Sequence, residues 1–192
     1  MKKLSLLKYA PLLLAGSLLA TGCDDPEEPG GPGEEELITQ VVITLTPIGG
    51  GASMSATIED PDGNGPMPPE PPTQTLTLTQ GGTYDGMIQF FDASDPADVE
   101  SITEEVEEED DAHRVFYTVA GLTGVDIPDG SLDTDANGAP LGLTFQVEVD
   151  ASASGTGTIQ VVLSHYDEEP KGDGSTPSNE TDADVTFTAT VQ

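Results

Sequence analysis

Hydrophobic and polar side chains alternate along most of the chain from about Leu37 onward, a pattern typical of β-strands with one buried face. The clearest run has an apolar residue at every second position: Leu141, Leu143, Phe145, Val147 and Val149. Further runs of this kind are Val41–Leu45, Met54–Ile58, Leu76–Leu78, Ile88–Phe90, Val115–Val119, Ile159–Leu163 and Val185–Val191, with a shorter candidate at Leu122–Ile127.

Segments rich in Gly, Pro and Asp separate these runs, and Ala151–Gly155 is expected to be a turn. The pattern therefore predicts about eight or nine short strands in an all-β domain. We expect an antiparallel β-sandwich of the immunoglobulin-like or jelly-roll type. The order of the strands is left open.

One segment has helical spacing instead. Asp95 and Pro96 form an N-cap and first-turn signal, and Val99, Ile102 and Val106 follow on one helical face. We expect a short acidic helix from Pro96 to about Glu109. Carboxylates at residues 107–111 crowd its C-terminal end, where negative charge is unfavourable, so this end needs a cation or frays.

The first residues read as an export signal. A short cationic stretch ending at Lys8 precedes an apolar run that is too short to span a bilayer, and small residues then lead to Cys23. This ending is similar to the lipobox of bacterial lipoproteins, in which the cysteine is lipidated and becomes the first mature residue. We therefore expect residues 1–22 to be a signal peptide and Cys23 to be the lipid anchor, held in a membrane by its acyl chains.

Residues 23–36 are acidic and rich in Pro and Gly, and they contain no large apolar side chain. We expect a disordered tether here and the β-sandwich domain at 37–192. The acids after Cys23 resemble an export signal for the outer face of the outer membrane. The expected location is the cell envelope, with the outer membrane as the anchoring site and its periplasmic or cell-surface face left open.

The charge balance excludes some function classes. The 192-residue chain has 36 acidic and 5 basic side chains, and three of the basic ones precede residue 9. Such a polyanion cannot neutralise nucleic-acid phosphates, so we expect no nucleic-acid partner and, if any protein partner, one with a basic surface. The single Cys excludes a disulfide framework. No nucleophile motif or phosphate-binding glycine loop is present, so we expect no enzymatic activity.

Two loops share the pattern D-x-D-x-N-G. The first supplies Asp60, Asp62 and Asn64, and the second supplies Asp133, Asp135 and Asn137. Oxygen ligands at these positions followed by glycine resemble the opening half of an EF-hand loop, which makes weak Ca²⁺ sites one interpretation. The alternative is that these residues simply form good turns between strands.

The two histidines are a second candidate. His113 is expected to begin a strand, and His165 continues the inward-facing series of residues 159–163. Acids stand near both in sequence, at Asp110, Asp111 and Asp167, so a transition-metal site is conceivable. The spacing gives no reason to bring the two histidines together, and structural histidines at strand ends are the alternative.

The combined pattern resembles small envelope lipoproteins of Bacteroidetes and related bacteria, some labelled periplasmic-binding-like. The segments that carry the resemblance are Ile38–Thr46, Asp60–Gly65, Ile102–Glu109, His113–Tyr117 and Val162–His165 with the residues after it. The resemblance implies an envelope lipoprotein that works beside an outer-membrane transporter, and it supplies no catalytic residues.

Three functions follow as hypotheses. The first is a lipid-anchored, non-catalytic binding or accessory module. The second is a purely structural acidic surface protein. The third is a metal-handling protein that uses His113 and His165.

Overall fold

The computed structural model describes residues 36–63, 65–166 and 170–192. The predicted signal peptide, Cys23, nearly all of the tether, Asn64 and Asp167 lie outside the described residues. The described part begins at Glu36, the last residue assigned to the tether.

The all-β prediction is confirmed. The described residues form eight strands and one short helix: β1 (Gln40–Pro47), β2 (Met54–Glu59), β3 (Leu76–Leu78), β4 (Thr83–Asp92), β5 (Glu100–Ser101), α1 (Ile102–Glu108), β6 (His113–Asp126), β7 (Thr144–His165) and β8 (Glu180–Val191). A 3-10 turn, Asp129–Ser131, lies between β6 and β7.

All eight strands belong to one curled sheet. Its main order is β2-β1-β4-β7-β8-β3, with β5 paired to β4 and β6 paired to β7. The pairs are antiparallel except β3 with β8, which is parallel. The segment after β2 folds back on that strand, because the amide of Thr73 donates to the carbonyl of Thr57 at 2.8 Å. The two sheet edges are thereby brought close together around one core.

The buried face follows the predicted alternation. Val41, Ile43 and Leu45 are buried on β1, and Ile159, Val161 and Leu163 are buried on β7. These inward residues join the other strands in a single hydrophobic cluster. Burial of such apolar side chains is the main force that holds the sheet curled.

The predicted turn at Ala151–Gly155 is wrong, because these residues continue β7 as one strand of 22 residues. The partner strand β6 changes register near Gly121 and Gly124, which have φ of +76° and +69°. Bulges of this kind bend a ladder without reversing the chain. Glycine and serine in this segment therefore mark a bend.

The helix prediction is wrong at its start and correct at its end. Asp95 closes a local turn, because its Oδ1 accepts a hydrogen bond from the amide of Ala97 at 2.9 Å. Glu100 and Ser101 then pair with β4, so the helix begins only at Ile102. Thr103 fixes it to the sheet, since its hydroxyl accepts from the amide of Phe90 and donates to the carbonyl of Phe90.

Candidate metal centre

The antiparallel pairing of β6 with β7 brings the two histidines together. His113 is the first residue of β6 and lies directly opposite His165, the last residue of β7. Their rings stack with centroids 4.3 Å apart and an interplanar angle of 30°. The spacing of the two histidines in the sequence gives no sign of this contact, because strand register, which the spacing does not reveal, sets it.

Two carboxylates reach across both imidazoles. Glu36 Oε1 lies 3.4 Å from His113 Nε2, and Glu36 Oε2 lies 3.5 Å from His165 Nδ1. Asp182 does the same, with Oδ2 3.6 Å from His113 Nε2 and Oδ1 3.6 Å from His165 Nδ1. Each carboxylate therefore presents one oxygen to each ring.

A β-bulge aims Asp182 into this cluster. In the β7–β8 ladder Leu163 pairs with Ala183 and Ser164 pairs with Thr181, which leaves Asp182 as the extra residue. Regular alternation would place Asp182 and Ala183 on opposite faces, yet both are buried. Bulges commonly redirect a side chain next to a functional site, and this one turns a carboxylate inward.

The end of the helix orients His113. The carbonyl of Glu109, the C-cap residue of α1, lies 3.1 Å from His113 Nδ1. It accepts a hydrogen bond from this nitrogen in the tautomer that carries the proton there. This tautomer leaves the Nε2 lone pair facing the carboxylates. The Glu109 carboxylate also lies near, and it forms with Glu36, His113 and His165 a cluster whose ligand atoms are all within 4.8 Å of one another. A backbone carbonyl behind the distal nitrogen is the usual support for a metal-binding histidine.

Apart from Glu109, which is partly exposed, the side chains of this cluster are almost fully buried. The side chains of His113 and Asp182 are 0% exposed, His165 is 2% exposed and Glu36 is 7% exposed. Three of its atoms are buried without a hydrogen bond to any described residue: His113 Nε2, His165 Nε2 and Glu36 Oε2. Buried polar atoms are normally paired, so this concentration needs an explanation.

The cluster shifts the ionisation of its members. Burial works to raise the pKa of the Glu36 carboxyl, but the His113 and His165 imidazoles outweigh it and the pKa is lowered. Burial works to lower the pKa of His113, but Glu36, the Glu109 carbonyl and Asp182 outweigh it and the pKa is raised. Both shifts favour the charged forms, a carboxylate at Glu36 and a protonated imidazole at His113, and each form stabilises the other.

The four N···O separations, 3.4 to 3.6 Å, are longer than the roughly 2.9 Å typical of N–H···O hydrogen bonds. They match the spacing of two ligand atoms on one ion, about 3.4 Å for tetrahedral metal–ligand bonds near 2.0–2.1 Å, although each carboxylate faces the two rings with different oxygens. Two imidazole nitrogens and carboxylate oxygens are also donors that suit Zn²⁺ and related ions. The arrangement could therefore hold one divalent transition-metal ion.

The second D-x-D-x-N-G loop uses its oxygens internally. Asp133 Oδ1 accepts from the amides of Gly142 and Thr144 at 2.8 and 3.0 Å. Asp135 Oδ1 accepts from the amides of Asn137 and Ala139. Its other oxygen, Oδ2, receives the ammonium of Lys171 at 2.9 Å. These contacts favour the turn interpretation of this loop over the calcium interpretation.

The first loop is different. Oδ1 of Asp60 and Oδ1 of Asp62 are buried and accept no hydrogen bond from the described residues. Burial raises the pKa of Asp60, and the neighbouring Asp62 raises it further. Asn64, the third predicted ligand, lies outside the described residues. Calcium binding at this loop stays a prediction, and Asp60 and Asp62 are the described residues that would have to supply its ligands.

Lys171 also supplies the cation that the acidic helix end needs. Its Nζ donates to the carbonyl of Asp110 at 2.7 Å, just past the end of α1. The neighbouring carboxylate of Asp110 accepts from the amide of Ala136 and does not enter the histidine cluster. Arg114, the other basic residue after Lys8, is 3% exposed and donates to Gly174 and Asp129. Both cations are thus used inside the fold, which leaves the described surface acidic.

Sequence reasoning identified both histidines but missed Glu36, Glu109 and Asp182. Glu36 ends a run of three glutamates and looks like part of the predicted tether. Asp182 would point away from the core in a strand with regular alternation. The available signal for Glu109 was its place four residues before His113 at the end of a predicted helix.

The fold and the cluster together define an all-β domain with a buried histidine–carboxylate centre. No family model matches the chain, and no curated protein or solved structure matches it either. Within the described residues, no helix has the length and hydrophobicity needed to cross a bilayer.

Proposed function

We propose that this protein is a lipid-anchored, non-catalytic binding protein of the bacterial cell envelope that holds one divalent transition-metal ion. The proposed ligands are His113, His165, Glu36 and Asp182, the last because its carboxylate faces both imidazoles, while Glu109 stands near as a further carboxylate. Zn²⁺ is the first candidate. The observation that carries the proposal is the meeting of two stacked imidazoles with carboxylates that each face both rings at 3.4 to 3.6 Å.

The burial of the cluster supports a holding role over a catalytic one. Structural zinc sites have four protein ligands and are closed, whereas catalytic sites keep a position open for water or substrate. Here four protein groups converge, and the most exposed of them, Glu36, is 7% exposed. Arg114 and Lys171 are occupied by internal contacts and do not face the cluster.

The envelope location rests on the N-terminal sequence. Cys23 follows the pattern expected of a lipidated cysteine, and the anchor would be at the outer membrane. Fractionation of cells that express Cys23→Ser tests this. We expect the variant to leave the membrane fraction, and an unchanged membrane fraction would contradict lipid anchoring. The acidic surface would suit an envelope protein partner with a basic face.

Metal binding is tested by isothermal titration with Zn²⁺ alone on the mature chain carrying Cys23→Ser, which also removes the competing thiol. We expect saturable binding of one ion per chain. His113→Ala and His165→Ala should each weaken it by at least about 100-fold, since even supporting groups contribute about 10- to 100-fold. Substitution by Co²⁺ would report a tetrahedral site by its visible spectrum.

A matched control separates this site from the general acidity of the chain. Glu108→Ala removes an exposed carboxylate at the end of α1, next to Glu109, and should leave Zn²⁺ affinity unchanged. His165→Gln keeps most of the side-chain volume and tests the ligand without a large cavity. If the parent chain takes up no Zn²⁺, or if Glu108→Ala weakens binding as much as His113→Ala, the cluster is only an internal ion-pair network and the metal proposal fails.

A weak Ca²⁺ site is a second candidate, favoured by the Oδ1 atoms of Asp60 and Asp62, which are buried and accept no hydrogen bond from a described residue. Extracellular sites of this kind have dissociation constants of about 10⁻⁴ to 10⁻³ M. A Ca²⁺ titration should saturate in this range and lose its signal in Asp60→Ala. Absence of saturation in the parent chain would remove the candidate.

A further inference from the structure

Glu36 differs from the other ligands in how its backbone is held. His113, His165 and Asp182 belong to β6, β7 and β8, whose paired ladders fix them. Glu36 precedes β1 by four positions and lies in no strand. It reaches the cluster from the edge of the described chain.

The contacts that secure this lead-in segment begin after Glu36. Thr39 donates its amide to the carbonyl of Phe91 at 3.0 Å and accepts from the amide of Asp60 at 2.8 Å. Ile38 is 3% exposed and belongs to the core, whereas Leu37 is 49% exposed. The contacts of the Glu36 side chain go to His113 and His165. Its position therefore depends on the cluster more than on the sheet.

Charge makes that dependence sensitive to a metal ion. The carboxylates of Glu36, Glu109 and Asp182 gather around two imidazoles. A bound divalent cation offsets their mutual repulsion, and its removal leaves like charges together in a buried place. The carboxylate on the least restrained backbone is the one that can move away, and this is Glu36.

The exposure of the ligand side chains also points to Glu36. The side chains of the other three ligands are 0 to 2% exposed and lie on paired strands, so none of them can move away from the site unless the sheet opens. Glu36 is the most exposed ligand and can leave without breaking a ladder hydrogen bond.

We propose that Glu36 is the gate ligand of this centre. The metal ion enters and leaves when Glu36 detaches. A bound ion links Glu36 to the ligands on β6, β7 and β8. This inference rests on the proposed metal-binding function. Metal occupancy then controls whether the backbone at Glu36 and Leu37 is held against the sheet.

Spin labelling tests the inference directly. Leu37→Cys in the mature Cys23→Ser chain gives one thiol next to Glu36, at a half-exposed position suited to a nitroxide. Zn²⁺ is diamagnetic and does not broaden the label. We expect the label to be mobile in the metal-free chain and to become immobilised when Zn²⁺ is added. In the same chain with Glu36→Ala, Zn²⁺ should leave the label mobile.

Release kinetics provide an independent measurement. After mixing Zn²⁺-loaded protein with excess chelator, Glu36→Ala should release the ion at least about tenfold faster than the parent chain, while the exposed control Glu108→Ala should release it at the parent rate. Failure of Zn²⁺ to bind the parent chain would refute the proposed function. Binding of Zn²⁺ with no change in the mobility of the label, or with an unchanged release rate in Glu36→Ala, would refute the gate alone.

Discussion

His113 and His165 lie directly opposite one another on β6 and β7, and their rings stack with centroids 4.3 Å apart. Their shared face is the inner face of the sheet, since Val115 and Leu163 on the same strands are fully buried. Two imidazoles at the buried end of a ladder add polar atoms where packing would favour aliphatic ones. The carboxylates of Glu36 and Asp182 offset this cost, because each faces both imidazoles.

Loss of the Lys171 ammonium should strongly destabilise the domain. Lys171 joins Asp135 on the second loop to the carbonyl of Asp110 beyond α1, and both side chains of the ion pair are at most 3% exposed. Lys171→Met keeps the length but removes the charge, which leaves a buried carboxylate without its cation. We expect the free energy of unfolding in urea to fall by about 3–5 kcal/mol.

Asp129→Asn is the matched control, because Asp129 pairs with Arg114 but its side chain is 80% exposed. The loss there should stay within about 1 kcal/mol, because Asn keeps an oxygen acceptor for Arg114 and the acidic side of the pair is screened by water. Equal losses in the two variants would contradict the assignment of Lys171 to a buried structural pair.

The same ion pair predicts a pH dependence. Burial works to raise the pKa of Asp135, but hydrogen bonds from Lys171 and from the Ala139 amide outweigh it and the pKa is lowered. A carboxyl with a lowered pKa in the folded state stabilises the fold above its ordinary pKa of about 3.9. That stabilisation is lost as the pH falls from this value through the folded pKa.

Asp135→Asn removes this titration. The difference in unfolding free energy between parent and variant should be constant at neutral pH and should shrink as the pH drops below about 4. Urea unfolding at several pH values measures it. A difference that grows toward low pH has the wrong sign for a lowered pKa.

Asp133 should act as a turn residue independent of calcium. Its Oδ1 receives two backbone amides, from Gly142 and Thr144. Asp133→Ala leaves both donors without this acceptor, which should cost about 1–3 kcal/mol of stability. The thermal unfolding midpoint of the variant should lie below that of the parent chain by the same amount in excess Ca²⁺ and in a chelator. A larger loss in the presence of Ca²⁺ would restore Asp133 as a ligand.

Gly86 should tolerate no side chain. A Cβ at this position would lie 2.3 Å from Cε2 of Phe145, whose ring also packs against Tyr117 with centroids 4.4 Å apart. Because this aromatic pair lies in the core, its displacement should cost about 1–3 kcal/mol in Gly86→Ala. Urea denaturation measures the loss.

Gly130 is the control for this substitution. A Cβ there meets no atom within 4 Å, and its φ is not positive. Gly130→Ala should change stability by no more than about 0.5 kcal/mol. A Gly86→Ala variant as stable as Gly130→Ala would contradict the close packing of Phe145 over the strand.

The alternation of apolar and polar residues was enough to predict the all-β class and most of the buried face. It could not separate a bend from a turn at residues 151–155, since glycine and serine serve both. The local N-cap signal at Asp95 also placed the helix start too early. Pairing of Glu100 and Ser101 with β4, a contact distant in sequence, overrides the local N-cap signal of Asp95.

The sequence by itself determined the strand period, the acidic character and the inward orientation of His165, because these depend on neighbouring residues alone. The tertiary structure decided which distant residues meet. Strand register set His113 against His165, and a bulge in β8 turned Asp182 toward them. The chain before β1 then brought the Glu36 carboxylate to 3.4 Å from His113 Nε2 and 3.5 Å from His165 Nδ1. A one-residue change of register would move the His113, His165 or Asp182 side chain to the other face, and no local pattern specifies that register.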